Sequence, residues 1–242
     1  MPKPSLLLER ALRRVGEAML IRGLLLGQRD ELNYQPLGVL NRGTALRAAG
    51  TITRLEAIQG ILRSETMSPR VAMDIGSHLG FFSLSLAQNG WFVYAVESNS
   101  HRLNLCYELG KKNKTKIVPI NLRIDSSNVE YLPEADVTLC LSVWHHWVRR
   151  YGLEQATYIL QVIARKTRRF LFFDAGEDEM NETYKLPYGT ERASTFLLSY
   201  LRELHDFEIL DLGKHQAISP PNAEGDRVVV LRTLFCLRKA ES

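Results

Sequence analysis

Short apolar runs alternate along this chain with longer stretches of helical period, and glycines or charges mark nearly every change between them. Val71 to Ile75 reads as a strand that enters a glycine-bearing turn, Gly76-Ser77-His78-Leu79-Gly80. Phe81 to Gln88 continues as a helix, Asn89-Gly90 ends it, and Trp91 to Val96 forms a second strand closing on Glu97. Arg102 to Leu109 then predicts a crossover helix ending near Gly110, with Ile117 to Ile120 as the third strand. Asp136 to Leu141 is the fourth, Gly152 to Ala164 a further helix, and Phe170 to Phe173 the fifth strand. The polar stretch up to Thr190 reads as a surface segment, and 193–204 as a helix. Phe207–Leu212 and Val228–Leu237 read as an antiparallel pair at the sheet edge, joined by an exposed connection around Pro220-Pro221.

Two helical patterns precede this series. Over 5–26, Leu8, Leu12, Val15, Met19 and Leu26 share a face, with arginines largely elsewhere. That suits a lid or docking helix, or a helix lying on a membrane surface. After an irregular stretch at 30–41, Thr51 to Ser64 places Ile52, Leu55, Ile58 and Leu62 on one side, with Arg54 and Arg63 on others. Arg42, Arg47 and Arg54 suit either an anionic substrate at the ligand mouth or surface salt bridges. The expected division is a helical extension or lid over 1–67 and an α/β domain over 68–242.

At 242 residues, 45% hydrophobic and 24% charged, the chain can bury a sizeable core. Cys106, Cys140 and Cys236 are far apart without paired spacing, which favours buried thiols over a disulfide framework. No apolar run is long enough to span a bilayer, and charges interrupt the start too early for a signal peptide. A cytoplasmic location, with peripheral membrane contact as an option, is the expectation. The net charge of +4 is uneven: residues 1–70 carry 11 Lys/Arg against 6 Asp/Glu, and the rest 20 against 21. This surplus, and four lysines within Lys111–Lys116, suit either an anionic partner such as RNA or an ordinary solvated surface.

In an open α/β sheet, ligands collect beyond the carboxyl ends of the strands, at the switch in strand order. That brings together 74–80, 97–99, Asn121-Leu122, 142–147 and 174–177. Gly76 and Gly80 give a ligand room at the backbone, and the Glu97 carboxylate suits a ribose diol, since it accepts both hydroxyl hydrogens. A nicotinamide dinucleotide is disfavoured, because His78 interrupts the alternating-glycine fingerprint. His145 and His146 follow a strand end and titrate in a range suited to a general base. Asp174 and Glu177 are placed to orient a histidine or an acceptor, or simply to cap the next segment. Trp144 and Trp147 offer an aromatic platform. A metal cluster of His145, His146, Asp174 and Glu177 lacks dependable ligand spacing, so no metal is expected.

Asp74-Ile-Gly76-Ser-His78-Leu-Gly80, Glu97, the basic turn with the third strand, and Leu141-Ser-Val-Trp-His-His-Trp147 together resemble a class I S-adenosylmethionine-dependent methyltransferase over roughly 68–237. The resemblance implies a Rossmann-like seven-stranded sheet with an antiparallel final strand, and S-adenosyl-L-methionine as cofactor. It implies that Asp74 positions the methionine portion in a pocket shaped by Gly76, His78 and Gly80, and that Glu97 binds the ribose. Asn121 and Leu122 would line the adenine, and Ser142 the wall beneath the sulfonium. The His-His pair resembles glycan O-methyltransferases and, more distantly, enzymes of RNA ends. The leading expectation is O-methylation of a sugar-containing or other small natural product. The alternatives are an RNA methyltransferase and a non-catalytic cofactor-binding regulator.

Overall fold

The computed structural model describes residues 19–24, 48–66, 68–219 and 226–240. Its elements are α1 (Ala48–Arg63), β1 (Val71–Ile75), α2 (Phe81–Gln88), β2 (Phe92–Glu97), α3 (Ser100–Lys112), β3 (Lys116–Asn121) and β4 (Ala135–Leu141). There follow α4 (Trp144–Tyr151), α5 (Leu153–Lys166), β5 (Thr167–Asp174), α6 (Ala193–Arg202), β6 (Phe207–Ile218) and β7 (Val229–Lys239). One four-residue turn of helix, Asn181–Tyr184, lies between β5 and α6.

The seven strands form one sheet in the order β3-β2-β1-β4-β5-β7-β6. The first five run parallel, and β7 pairs antiparallel with both β5 and β6. The expected reversed final strand is present, but it lies between β5 and β6, so β6 forms the edge. The chain winds from β1 outward to β3, then crosses back to β4, so the strand order reverses between β1 and β4.

Both faces of the sheet are covered, which is why its inner strands read as nearly unbroken apolar runs. Alternate residues supply two cores. Met73, Ile75, Cys140 and Phe173 pack towards α4, α5 and α6. Ala72, Leu139, Phe170 and Phe172 pack towards α1, α2 and α3. The same alternation turns Asp74 to the α2 side, where it meets Ser83.

Several sequence expectations are corrected. Helix α3 is longer than expected and passes through Gly110, so Lys111 and Lys112 form its last turn. The stretch 180–188 is not a surface segment, since Met180, Tyr184, Leu186 and Tyr188 are buried. On α1, Ile52 is exposed and Arg54 is buried, because Thr51, Arg54, Ile58 and Leu62 form the inward stripe. Gly50 is what allows this approach: a Cβ there would collide with the Gln216 carbonyl oxygen on β6. Of the first helical pattern, 19–24 is helical, but Met19 is exposed and Ile21 is the buried residue. Leu8, Leu12, Val15, Leu26 and the irregular stretch at 30–41 lie outside the described residues. The three cysteines are buried thiols, as expected. Among the described residues, no helix is long and apolar enough to cross a membrane.

Candidate active site

A cleft of about 200 Å³ opens at the carboxyl ends of β1 to β4, beside the reversal in strand order. Gly76 from β1 and Glu97 from β2 form one side, Leu122 and Ile124 follow β3, and Val143, His146 and Trp147 come from the β4–α4 segment. Four of the expected site residues, Gly76, Glu97, Leu122 and His146, therefore share one cavity.

Glu97 is buried, and its carboxylate is held by main-chain donors. The His78 N–H donates to Oε2 at 3.1 Å and the Asn99 N–H to Oε1 at 2.8 Å. His78 can aim its N–H this way because it adopts a left-handed φ of 54°. Its contribution is thus through the backbone, and it needs no middle glycine. Gly76, also at positive φ, leaves room for its neighbour, since a Cβ there would fall 2.6 Å from Val143 Cγ2. Gly80 has another role: it precedes α2 with φ 85°, and a Cβ there would strike Cys106 on α3. It serves the packing of two helices.

Asn121 is exposed, and its side-chain Nδ2 donates to the Glu97 carbonyl at 2.9 Å, clipping β3 to β2. It steadies the cleft, and Leu122 supplies the apolar wall. Asp74 lies beneath the glycine turn, where it accepts a 2.6 Å hydrogen bond from Ser83. Burial pushes its carboxyl up to about 6, against the lowering effect of that bond. The neighbouring Ser77 hydroxyl is buried without a hydrogen-bond partner among the described residues.

The two adjacent histidines face differently, because α4 rotates each residue by about 100°. His145 is buried, and its Nδ1 accepts the Gly176 N–H at 2.8 Å. A neutral ring in that bond carries its proton on Nε2. His146 is exposed and lines the cleft. The rings lie 4.3 Å apart, and the Tyr184 ring is 5.6 Å from each. The two tryptophans separate likewise. Trp147 lines the cleft, whereas Trp144 is fully buried against Phe173 and Tyr200, so it is no acceptor platform.

Asp174 and Glu177 take partners from α1, the β4–α4 turn and β7. Asp174, at the end of β5, forms a buried ion pair with Arg54 at 2.5 Å and accepts the Ser142 N–H at 2.6 Å and its hydroxyl at 2.8 Å. Burial raises its carboxyl, but Arg54 and Arg232 outweigh that and hold it below the usual carboxylate range. Ser142 therefore faces Asp174, at a left-handed φ of 57°. Glu177 accepts the Thr233 N–H of β7, and burial keeps its carboxyl above the usual range. Among the described residues, no group of three or more His, Cys, Asp or Glu side chains is placed to hold a metal ion.

Sequence reasoning placed Arg54 off the inward face of α1, and it missed Arg232 as part of this region. Arg232 is buried on β7, where its Nε donates to Glu179 at 2.8 Å and Nη1 reaches the Ser142 hydroxyl at 3.4 Å. An arginine inside an otherwise apolar strand, Val228 to Leu237, was the available signal for the second. Arg42 and Arg47, weighed with Arg54 as contacts for an anionic substrate, lie outside the described residues.

The site has the makings of an adenosine pocket: a buried acid fixed by main-chain donors, an apolar wall, and a side-chain-free approach at Gly76. No family model matches the chain. It is 27% identical over 113 residues to WbdD of Escherichia coli, an O-antigen chain terminator bifunctional methyltransferase/kinase. The match covers 46% of this chain and 16% of that protein, so this chain corresponds to a small part of its relative. A medium-resolution structure of the bifunctional kinase-methyltransferase WbdD superposes with a TM-score of 0.65 at 21% identity, over 90% of this chain and 45% of the other. The magnesium protoporphyrin IX methyltransferase of Synechocystis with bound SAM gives 0.54 at 14% identity, over 79% and 80%. TehB from Haemophilus influenzae gives 0.53 at 17%, over 76% and 62%. The strand order, the reversed strand and these superpositions give the chain the fold of a class I S-adenosylmethionine-dependent methyltransferase.

Proposed function

We propose that this protein is an S-adenosylmethionine-dependent O-methyltransferase acting on a sugar-containing or other small natural-product acceptor. The observation that carries the reading is that Glu97, locked by the His78 and Asn99 main-chain donors, shares one cleft with His146. When bound, S-adenosylmethionine supplies an electrophilic methyl group. Glu97 would accept its ribose hydroxyls, Leu122 and Ile124 would cover its adenine, and Asp74 would attract its cationic methionine end. His146 is the cleft-facing histidine, and it takes the proton of the acceptor hydroxyl. His145, engaged with the Gly176 N–H, orients the start of α4. Much of the rate would come from holding the acceptor oxygen in line, which converts a bimolecular encounter into a local one.

The WbdD relationship supports a glycan-linked acceptor, since that protein is named for terminating O-antigen chains. The RNA alternative loses part of its support. Lys114 and Lys116 lie at the amino end of β3, at the opposite end of the parallel strands from Glu97, and Lys111 pairs with Glu108 at 3.0 Å. Cytoplasmic placement, with or without peripheral membrane contact, is part of the proposal.

Turnover with a panel of glycan acceptors tests it, scored by methyl transfer from labelled S-adenosylmethionine. His146→Ala should lower kcat by about 10²-fold or more while cofactor affinity stays within a factor of two, as expected for loss of a general base. His145→Ala should act through stability as well as rate. Unchanged turnover in His146→Ala defeats the assignment of the base. Cofactor binding without methylation of any acceptor favours the regulatory alternative.

A further inference from the structure

Helix α1 sends one cation into the protein interior, and the geometry of that cation reaches the active-site wall. Arg54 is 5% exposed. Its Nε bonds the Gly50 carbonyl of its own helix at 3.0 Å, which fixes the direction of the side chain. The guanidinium then meets Asp174 Oδ2, while Asp174 Oδ1 takes both the N–H and the hydroxyl of Ser142. One carboxylate oxygen faces the cation and the other holds the turn. Ser142 sits at φ 57°, a conformation that costs a non-glycine residue about 1 kcal/mol and persists only where its surroundings enforce it. The next residue, Val143, is packed against Gly76, and α4 begins immediately after it. Val143 and His146 both line the cleft.

We propose that Arg54 is a positioning residue for the active-site wall. By pairing with Asp174 it secures the left-handed Ser142 turn that sets Val143 and His146 against the cleft. The claim that this wall matters for catalysis rests on the function proposed above. Hydrogen bonds to an ionised carboxylate are stronger than those to a neutral acid, so the turn is tightest while Asp174 keeps its charge. Arg54 from α1 and Arg232 from β7 face that charge, and Ser142 faces it from β4. Cys140 on β4 and His215 on β6 also sense it. Arg232 is already engaged by Glu179, which leaves Arg54 as the cation in direct ion-pair contact among the described residues. If Arg54 only fastened α1 to the sheet, its loss would lower stability without singling out the Ser142 turn.

The test is hydrogen exchange on the full chain at pH 5.5 and 8, with S-adenosylhomocysteine affinity measured in parallel. Arg54→Gln keeps a hydrogen-bonding side chain and removes the charge, so Asp174 protonates more readily. Its protection over 142–147 should fall about tenfold relative to the wild type, with the greater loss at pH 5.5 than at pH 8, and with 71–75 and 92–97 unchanged. S-adenosylhomocysteine binding should weaken in step. Arg54→Lys retains the charge with shorter reach, so it should show a smaller loss over 142–147 and no such pH dependence. Wild-type protection of 142–147 in Arg54→Gln at both pH values overturns the proposal, as does an equal loss across the whole chain. Should Arg54→Gln fail to fold, Arg54→Lys decides: lowered protection confined to 142–147 supports the proposal, and wild-type protection there overturns it. Absence of S-adenosylhomocysteine binding in the wild type would instead count against the proposed function, with the exchange result still deciding the role of Arg54.

Discussion

Two aspartates stand at the carboxyl ends of sheet strands, both buried, and their surroundings push them in opposite directions. Asp74, on β1, has a serine hydroxyl for company and is raised to about 6. Asp174, on β5, has Arg54 and Arg232 nearby and is held below the carboxylate range. Burial acts upward on both, so the difference lies in the countercharge. The paired acid has completed its electrostatics within the chain and serves as scaffold. The other is buried beneath the glycine turn against Ser83, with no cation among the causes that shift it; on the function proposed above, the cationic end of a bound cofactor would supply that charge.

The largest effect should come from breaking the pair. Asp174→Asn leaves Arg54 buried without its partner and should destabilise the fold by about 3–5 kcal/mol, measured by denaturant unfolding at pH 7. A loss well under 1 kcal/mol would mean that water reaches Arg54 and the pair is ordinary. Asp74→Asn should do the reverse. A carboxyl whose folded value is raised stabilises the fold fully below its unfolded value near 3.8, and that contribution is lost as pH rises through about 6. Replacement by Asn should therefore stabilise the unliganded protein by about 1–2 kcal/mol at pH 7 and flatten that part of the pH profile. Asp174 has the opposite sign: its contribution is present above the unfolded value and is lost as pH falls through its lowered folded value.

The comparison sharpens with ligand present. S-adenosylmethionine carries positive charge, so ionised Asp74 should bind it better than the protonated acid does. Affinity should rise about tenfold from pH 5 to pH 7 and stay flat in Asp74→Asn, as read by titration calorimetry. The smallest effect belongs to the basic turn. Replacing Lys112, Lys114 and Lys116 by Ala should change stability by less than about 0.5 kcal/mol and leave cofactor affinity unaltered, since they are exposed and far along β3 from the cleft.

Most of the fold was legible because its strands are bounded by strong punctuation. Gly76, Asn89-Gly90 and Gly152 fall at real element boundaries, and the apolar runs between them are the strands. Gly110 misled, since it lies within α3, where helical context overrides its weak propensity. The grouping of Gly76, Glu97 and Leu122 in one cleft was legible too, because each lies at or just past the carboxyl end of a strand. The rest was not, because sequence adjacency says nothing about rotation on a helix. His145 and His146 read as equals until α4 turned one inward. Arg54 was assigned to a polar face on a period built around Ile52, and the true inward stripe is one based on Thr51, Arg54 and Ile58. The partnership of Arg54 with Asp174 spans 120 residues, beyond the reach of any local pattern.

The central claim is that the cleft beside Glu97 holds S-adenosylmethionine. Calorimetric titration of S-adenosylhomocysteine into the folded wild-type protein and into Glu97→Ala tests it most directly. The account predicts saturable binding to the wild type and at least about tenfold weaker binding to the variant, as expected when a carboxylate that accepts two hydroxyls is removed. No heat with the wild type, or equal affinity in the two proteins, would contradict it.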